Sequence, residues 1–266
     1  MPGFMSIAPA QLARLIGTPD CPALIDVRID EDFTADPRLI PGAKRHPATE
    51  IEALVPELAG RRAVVICHKG LKLSEGAAAL LRCEGIAAES LEGGMVAWSG
   101  AELPTLAAAA LPASRIWVTR HRPKIDRIAC RWLTRRFIDP TAEFLFVAPS
   151  EVAAVAERFG ATPFDIEGVR FSHRSDFCSL DALLDDFGLH TPALDRLALV
   201  VRGADTDRHD LAPQAAGLLA LSVGLSRQFK DDLEQLDAGM RLYDALYRWA
   251  RDGFEEGHDW PAGPAS

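Results

Sequence analysis

Ala63-Val64-Val65-Ile66-Cys67-His68-Lys69-Gly70-Leu71-Lys72 is the stretch on which the fold turns. Its first five residues are apolar and rich in branched side chains, the composition of a short strand buried on both faces. Upstream, Ala23-Leu-Ile-Asp-Val27 is a second run of the same kind, and a helical stretch around Glu50 to Leu58 lies between the two. Downstream, the spacing predicts a loop, a helix from about Ser74 to Cys83, a strand near Ala87 to Leu91, and a turn at Gly93-Gly94. Strands alternating with helices define an α/β class, here an open parallel sheet flanked by helices. Ligands of such sheets sit beyond the carboxyl ends of the strands, which is where Cys67 falls.

Working outward, Ser6 to Ile16 reads as an opening helix closed by Gly17 and Pro19. Leu103 to Ser114 carries no charge and is bracketed by prolines, so it reads as a linker between two domains, residues 1–107 and 115–255. The second, separate domain begins with a strand at Ile116 to Thr119, a strong helix and a strand at Phe144 to Val147. Mostly helical sequence follows, so it is expected to be a mostly helical α+β unit. Two domains suit 266 residues, since single domains run to roughly 100 to 200. The tail from Gly257 to Ser266, with its prolines and glycines, is expected to be mobile.

Composition narrows the function. Hydrophobic residues at 48% and charged residues at 25% are those of a globular protein. No apolar run approaches the roughly 20 residues of a membrane span. The opening Met-Pro-Gly-Phe-Met-Ser shows no secretory pattern, so a cytoplasmic protein is expected. The net charge of -9 disfavours nucleic acid as a partner of the whole molecule. Five scattered cysteines without CxxC spacing argue against a disulfide framework and a zinc ribbon.

Cys67 has two readings. It is either a small buried residue ending a strand, or a nucleophile whose thiolate is stabilised by loop N–H groups and by His68, Lys69 and Lys72. Cys83, within the next helix, and Cys21, beside Pro22, read as packing residues. Four motifs then appear in order: Leu24-Ile-Asp-Val-Arg28, Ile40-Pro-Gly-Ala43, Val64 to Cys67 with its six-residue loop, and Leu91-Glu-Gly-Gly-Met-Val-Ala-Trp98. Together they resemble the rhodanese-like domains. That resemblance implies a sulfurtransferase in which Cys67 takes sulfane sulfur from a donor such as thiosulfate and passes it to a thiol acceptor through a persulfide, without a cofactor. It further implies substrate binding by Asp26, Arg28, His68, Lys69, Gly70, Leu71 and Lys72. Lys72 stands where the family usually has arginine, which supplies a point charge in place of a planar fork. The related phosphatases use a loop one residue longer.

In the second domain, Ile125, Ile128, Ala129, Trp132, Leu133 and Phe137 form one apolar stripe. Between Arg115 and Arg136 stand eight Lys/Arg and a single acid, Asp126. This basic run reads as a solvated face balancing Asp181, Asp185 and Asp186, as an oxyanion site at a helix N-terminus, or as a nucleic-acid surface. Asp126, His173, Cys178, Asp205, Asp207, His209 and Asp210 have ligand chemistry but no local metal motif. The segments Arg122 to Cys130, Trp132-Leu133, Pro163-Phe-Asp165, Gly203 to Thr206, Ala216 to Leu219 and Tyr243 to Tyr247 resemble the ChrB-type chromate-resistance domain. The resemblance suggests Lys124, Asp126 and Cys178 as site residues, His173 and Asp205 as metal ligands, and a metal or an oxyanion such as chromate as the bound species. A non-catalytic chromate or redox sensor using Cys67 as a switch is the alternative to an enzyme.

Overall fold

The computed structural model describes residues 5–257. The opening pattern Met1 to Phe4 and the tail beyond Gly257 lie outside them.

The first half runs β1 (Ser6–Ile7), α1 (Pro9–Leu15), β2 (Ala23–Asp26), α2 (Asp30–Ala35), β3 (Arg38–Leu39), β4 (Ala43–Arg45) and a 3-10 turn (Ala48–Leu54). It continues through α3 (Val55–Leu58), β5 (Arg62–Ile66), α4 (Lys72–Cys83), β6 (Ala87–Leu91), α5 (Gly94–Gly100) and β7 (Leu106–Ala107). Five strands form one parallel sheet in the order β1-β6-β5-β2-β4. The alternation of side chains along β5 explains why its sequence is apolar throughout. Ala63, Val65 and Cys67 pack under α4 with Ile25, Val27, Ala77, Ala78 and Leu81. Val64 and Ile66 face the other way, toward Leu24, Met95 and Trp98.

Three expectations change here. Ser6 and Ile7 are not helical: they pair with Ser90 and Leu91 as the edge strand, and the helix starts at Pro9, where proline's fixed φ and missing N–H cost nothing. The expected linker is partly folded, since Leu106 and Ala107 pair antiparallel with Leu39 and Arg38, burying Leu106. Cys83 is exposed at the last position of α4 instead of packed. The 12-residue helix places it roughly 17 Å along the axis from the Cys67 loop, too far to act as a resolving thiol.

The second half holds β8 (Ile116–Arg120), α6 (Ile125–Leu133) ending in a π turn (Thr134–Ile138), β9 (Glu143–Val147), α7 (Val152–Phe159), β10 (Thr162–Pro163), α8 (Ser179–Phe187), α9 (Pro192–Asp205), α10 (Ala215–Gln228) and α11 (Asp232–Asp252). A parallel sheet, β10-β8-β9, lies against the helices. Helix α6 is central. All six stripe residues are buried, and α11 anchors its first turn: Gln235 Nε2 donates to the Pro123 carbonyl at 2.6 Å and the Tyr243 hydroxyl to that of Ile125 at 2.7 Å.

One hydrophobic cluster runs through both halves, from Ile7, Leu12, Met95 and Trp98 to Trp117, Trp132, Phe137, Tyr243 and Tyr247. Gly17, at φ +80°, is needed at this seam, because a Cβ there would stand 2.3 Å from Phe137 Cζ. Arg251 Nη1 to the Arg14 carbonyl (2.9 Å) and Lys44 Nζ to Asp139 Oδ1 (2.9 Å) add polar links. Among the described residues no helix is long and apolar enough to cross a membrane.

Candidate functional site

The register Asp26↔Ile66 puts Cys67 one residue beyond the paired end of β5, where the chain turns across the sheet edge into α4. The turn is tight and glycine-dependent. Gly70 (φ +67°) lies against Gly93 and Gly94 (φ +65° and +56°), and a Cβ on Gly94 would stand 2.2 Å from the Cys67 carbonyl oxygen. The first N–H groups of α5 pin the loop by its carbonyls: Met95 N donates to Cys67 O and Val96 N to His68 O, both at 3.0 Å. With the carbonyls held on that side, the N–H groups of His68 to Leu71 have no protein acceptor among the described residues. The first-turn N–H groups of α4 follow directly, and together they offer donors to an anion.

The Cys67 sulfur is itself nearly covered, with the residue 5% exposed, and lies 3.1 Å from Ser74 Oγ. Ser74 is a site residue the sequence reading missed. It is buried in the first turn of α4, and its hydroxyl reaches both the sulfur and the Leu71 carbonyl. Lys69, Leu71 and Lys72 are exposed, while His68 is half-buried with Nδ1 lacking a partner. A cavity of about 460 Å³ is lined by residues 27–31 and 45–49 and, from the first turn of α4, by Leu73. Arg28 is among these lining residues and Asp26 is not. The Arg28 guanidinium is buried, grips both Asp26 oxygens at 2.5–3.0 Å, and donates to the Asp36 and Arg38 carbonyls at 2.9 and 2.6 Å. With these donors on protein oxygens, Arg28 fixes the strand end and the α2–β3 connection.

In the second half, four distant residues converge. His173 Nε2 lies 3.5 Å from Asp126 Oδ2, 3.4 Å from Asp165 Oδ1 and 3.4 Å from Asp205 Oδ2. Asp126 comes from the first turn of α6, Asp205 from the end of α9, and Asp165 and His173 from the connection between β10 and α8. Asp126 is buried and serves as the cap of α8: its carboxylate accepts from Ser179 N at 2.8 Å and Leu180 N at 2.9 Å. A protein carboxylate thus meets the N-terminus of α8. Asp165, buried as well, accepts from Ser179 Oγ at 2.9 Å and pairs with Arg127 at 3.0 Å and Arg120 at 3.4 Å.

The electrostatics follow from the crowding of carboxylates. Burial, together with the charges of Asp126 and Asp165, pushes Asp205 up to about 6. Burial likewise raises Asp165, with Asp126 adding to it. The hydrogen bond to Asp126, opposed by partial burial and aided by the three acidic charges, raises His173 to about 9. Burial disfavours the Asp126 anion, but His173 and the two α8 N–H groups outweigh it and hold its carboxyl below the usual range.

The cluster gathers Asp126, His173 and Asp205, which the sequence singled out, and leaves other candidates aside. Cys178 is fully buried at the cap position of α8, and its thiol donates to Asp181 Oδ2 at 3.2 Å; burial keeps it well above the ordinary thiol range. Lys124 is exposed at the cap position of α6. Asp207, His209 and Asp210 are engaged in their own surface contacts. The basic run is not a free face: Arg115, Arg120, Arg127, Arg131 and Arg136 each pair with a carboxylate, namely Glu143, Asp165, Asp237 or Asp244. Asp181, Asp185 and Asp186, the acids expected to balance it, bind Arg202, His190, Arg170 and Arg174 instead.

A parallel sheet carrying a cysteine loop against a Gly-Gly turn is the arrangement of a rhodanese-like domain, and the model of that family, "Rhodanese-like domain", matches residues 8–101. The model "ChrB, C-terminal domain" matches residues 117–250. The chain belongs to this ChrB family. Protein ChrB of Cupriavidus metallidurans is 36% identical over 134 residues, which are 50% of this chain and 40% of that protein. The match thus spans less than half the length of the relative. Solved structures similar to the first half include a rhodanese-related protein of Thermoplasma volcanium (24% identity, TM-score 0.34, 39% of this chain and 98% of that one). Another is a rhodanese-like domain protein of Staphylococcus aureus (28%, TM-score 0.32, 36% and 91%).

Proposed function

We propose that the chain is a sulfurtransferase in which Cys67 carries sulfane sulfur, joined to a chromate-resistance domain that directs this chemistry to chromate stress. The observation that carries the reading is the turn after β5. A nucleophile type sits at the strand end, within reach of the Ser74 hydroxyl and beside unpaired loop N–H groups. In the first half-reaction the Cys67 thiolate attacks the outer sulfur of an anionic donor such as thiosulfate. A sulfur–sulfur bond forms at Cys67 as the donor's own sulfur–sulfur bond breaks, and sulfite leaves with the electron pair. In the second, an acceptor thiolate attacks the terminal persulfide sulfur, and Cys67 leaves as a thiolate stabilised by the loop N–H groups and by the Ser74 hydroxyl, whose proton turns from the Leu71 carbonyl to the sulfur. Exposed Lys69 and Lys72 raise the local concentration of an anionic donor.

Thiosulfate:cyanide sulfurtransfer measured on the chain and on Cys67→Ser tests this. Turnover lost with the substitution is expected, and turnover retained by Cys67→Ser would overturn the role of Cys67.

A sensor is favoured by a different observation, the continuity of the core. Cys67 O is bonded to the N–H of Met95, which shares one apolar cluster with Trp98, Trp132 and Tyr247. Oxidation or persulfidation of Cys67 would then reach the ChrB domain through packing. Stoichiometric Cys67 modification by chromate or a persulfide donor without steady-state turnover supports that reading over the enzyme.

A further inference from the structure

We propose that Asp126, His173 and Asp205 bind one divalent first-row transition-metal ion, with Asp165 as the flanking carboxylate that the two arginines hold in place. The argument is first geometric. The three ligand atoms lie within 4.8 Å of one another, and the Asp126, Asp165 and Asp205 oxygens stand at nearly one distance from His173 Nε2, 3.4 to 3.5 Å. A single ring N–H aims at one acceptor, and it prefers about 2.7–3.2 Å. Three acceptors at equal, longer distances are spaced as ligands around a shared centre. Donors each about 2.1 Å from an ion in tetrahedral array are separated by about 3.4 Å.

The second argument is charge. Asp165 is neutralised by Arg127 and, more loosely, Arg120. That leaves the carboxylates of Asp126, 2% exposed, and Asp205, 22% exposed, facing one imidazole. An imidazolium there balances one of these two buried or half-buried anions, whereas a dication that takes the place of the ring proton balances both.

The surroundings have the form of a supporting shell. The Asp126 carboxylate is oriented by two backbone N–H groups of α8, and Asp165 by Ser179 Oγ and Arg127. Fixed ligand carboxylates of this kind set affinity and geometry. His173 is 40% exposed, so an ion has a path from solvent.

Donor chemistry sets the class. Cys130 donates its thiol toward Asp126 and Cys178 toward Asp181, both fully buried, so neither supplies a thiolate. An imidazole nitrogen with carboxylate oxygens selects Mn²⁺, Fe²⁺ or Zn²⁺ over soft Cu⁺ on one side and over Mg²⁺ or Ca²⁺ on the other.

The test uses the full chain, untagged, stripped with EDTA and desalted. Zn²⁺ is titrated against a chromophoric chelator and Mn²⁺ is followed by loss of its free-ion EPR signal, which thiols do not affect. One ion per chain is expected for both. Asp205→Asn and His173→Gln should each weaken binding about tenfold or more, with the melting midpoint in EDTA held near that of the parent. Cys178→Ser and Cys67→Ser should bind Mn²⁺ as the parent does. No Mn²⁺ or Zn²⁺ bound at about 1 mM ion, or unaltered affinity in both Asp205→Asn and His173→Gln, would overturn the site. Sulfur transfer by Cys67 is read in a separate assay, so the two proposals stand or fall apart.

Discussion

The Cys67 loop and the Asp126–His173–Asp205 cluster are assembled by opposite means. The loop draws its groups from consecutive residues, Cys67 to Ser74, and presents mainly backbone N–H, with its shape enforced by glycines at 70, 93 and 94. The cluster draws on side chains at 126, 165, 173 and 205, carried by two helices and a long connection, and backbone enters only to hold Asp126. A site built from local backbone is sensitive to sterics and to one nucleophile. A site built from remote carboxylates is sensitive to charge balance and to the helices that bring them together.

The largest effect that could break this comparison is chemical. Cys67→Ser should lower sulfurtransfer by about 10³-fold or more, because the attacking atom itself is replaced. It should leave the melting temperature within a few degrees, which thermal unfolding followed by circular dichroism checks. Next comes sterics. Gly94→Ala places a Cβ 2.2 Å from Cys67 O at a positive φ and should cost about 2–4 kcal/mol in urea unfolding. The glycines of the loop are thereby distinguished from Gly60 and Gly85, whose Cβ would meet nothing within 4 Å. In the second site, Asp126→Ala removes the acceptor of Ser179 N and Leu180 N from a buried helix start and should cost about 1–3 kcal/mol. Its sulfurtransfer by folded protein should stay near the parent's.

The same contrast decides what the sequence could show. The parallel sheet was legible because strands covered on both faces read as uninterrupted apolar runs, as Ala63 to Cys67 does. Ser6 and Ile7 were read as helix because two residues cannot reveal a strand; only their pairing with Ser90 and Leu91 does. Cys67 and its loop were legible by order alone, whereas Ser74 was not, since a serine in the first turn of a helix is ordinary until the sulfur is seen 3.1 Å away. Asp126, His173 and Asp205 were legible as residue types, and their meeting was not. Asp165 and the two arginines that hold it were missed as site residues because they are joined across 38 and 45 positions of chain. Eight basic residues near one acid looked like a surface; folding supplied carboxylate partners for six of them, from α11, β9 and the β10–α8 connection.

A smaller effect sharpens the description of the loop. Lys72 is exposed at the start of α4, and Lys72→Arg exchanges a point charge for a planar fork of donors. KM for thiosulfate should fall about two- to fivefold with kcat nearly unchanged, since the fork adds ground-state and transition-state binding alike. A change in kcat alone would mean that Lys72 acts on the leaving sulfite and not on donor capture.

The smallest expected effect uses an internal control. His190 also stands between carboxylates, 2.9 Å from Asp195 and 3.0 Å from Asp185, but both are five residues away in sequence and all three side chains are more than half exposed. The hydrogen bond to Asp195, opposed by slight burial and helped by both acidic charges, raises this imidazole above its ordinary 6.5. The folded chain therefore holds the proton to higher pH than the unfolded chain does. Its stabilising contribution is fully present below about 6.5 and is lost as pH rises through the folded value, so the sign is a decline toward alkaline pH. A histidine chemical-shift titration should place His190 above 6.5, and Asp195→Asn should bring it back toward that value. Solvent screens these exposed charges, so His190→Ala should move the melting temperature by no more than about one degree and leave Mn²⁺ binding untouched. If His190→Ala weakened Mn²⁺ as His173→Gln is expected to, proximity of acids to a histidine would be sufficient for binding. The convergence of α6, α9 and the β10–α8 connection would then lose its special standing.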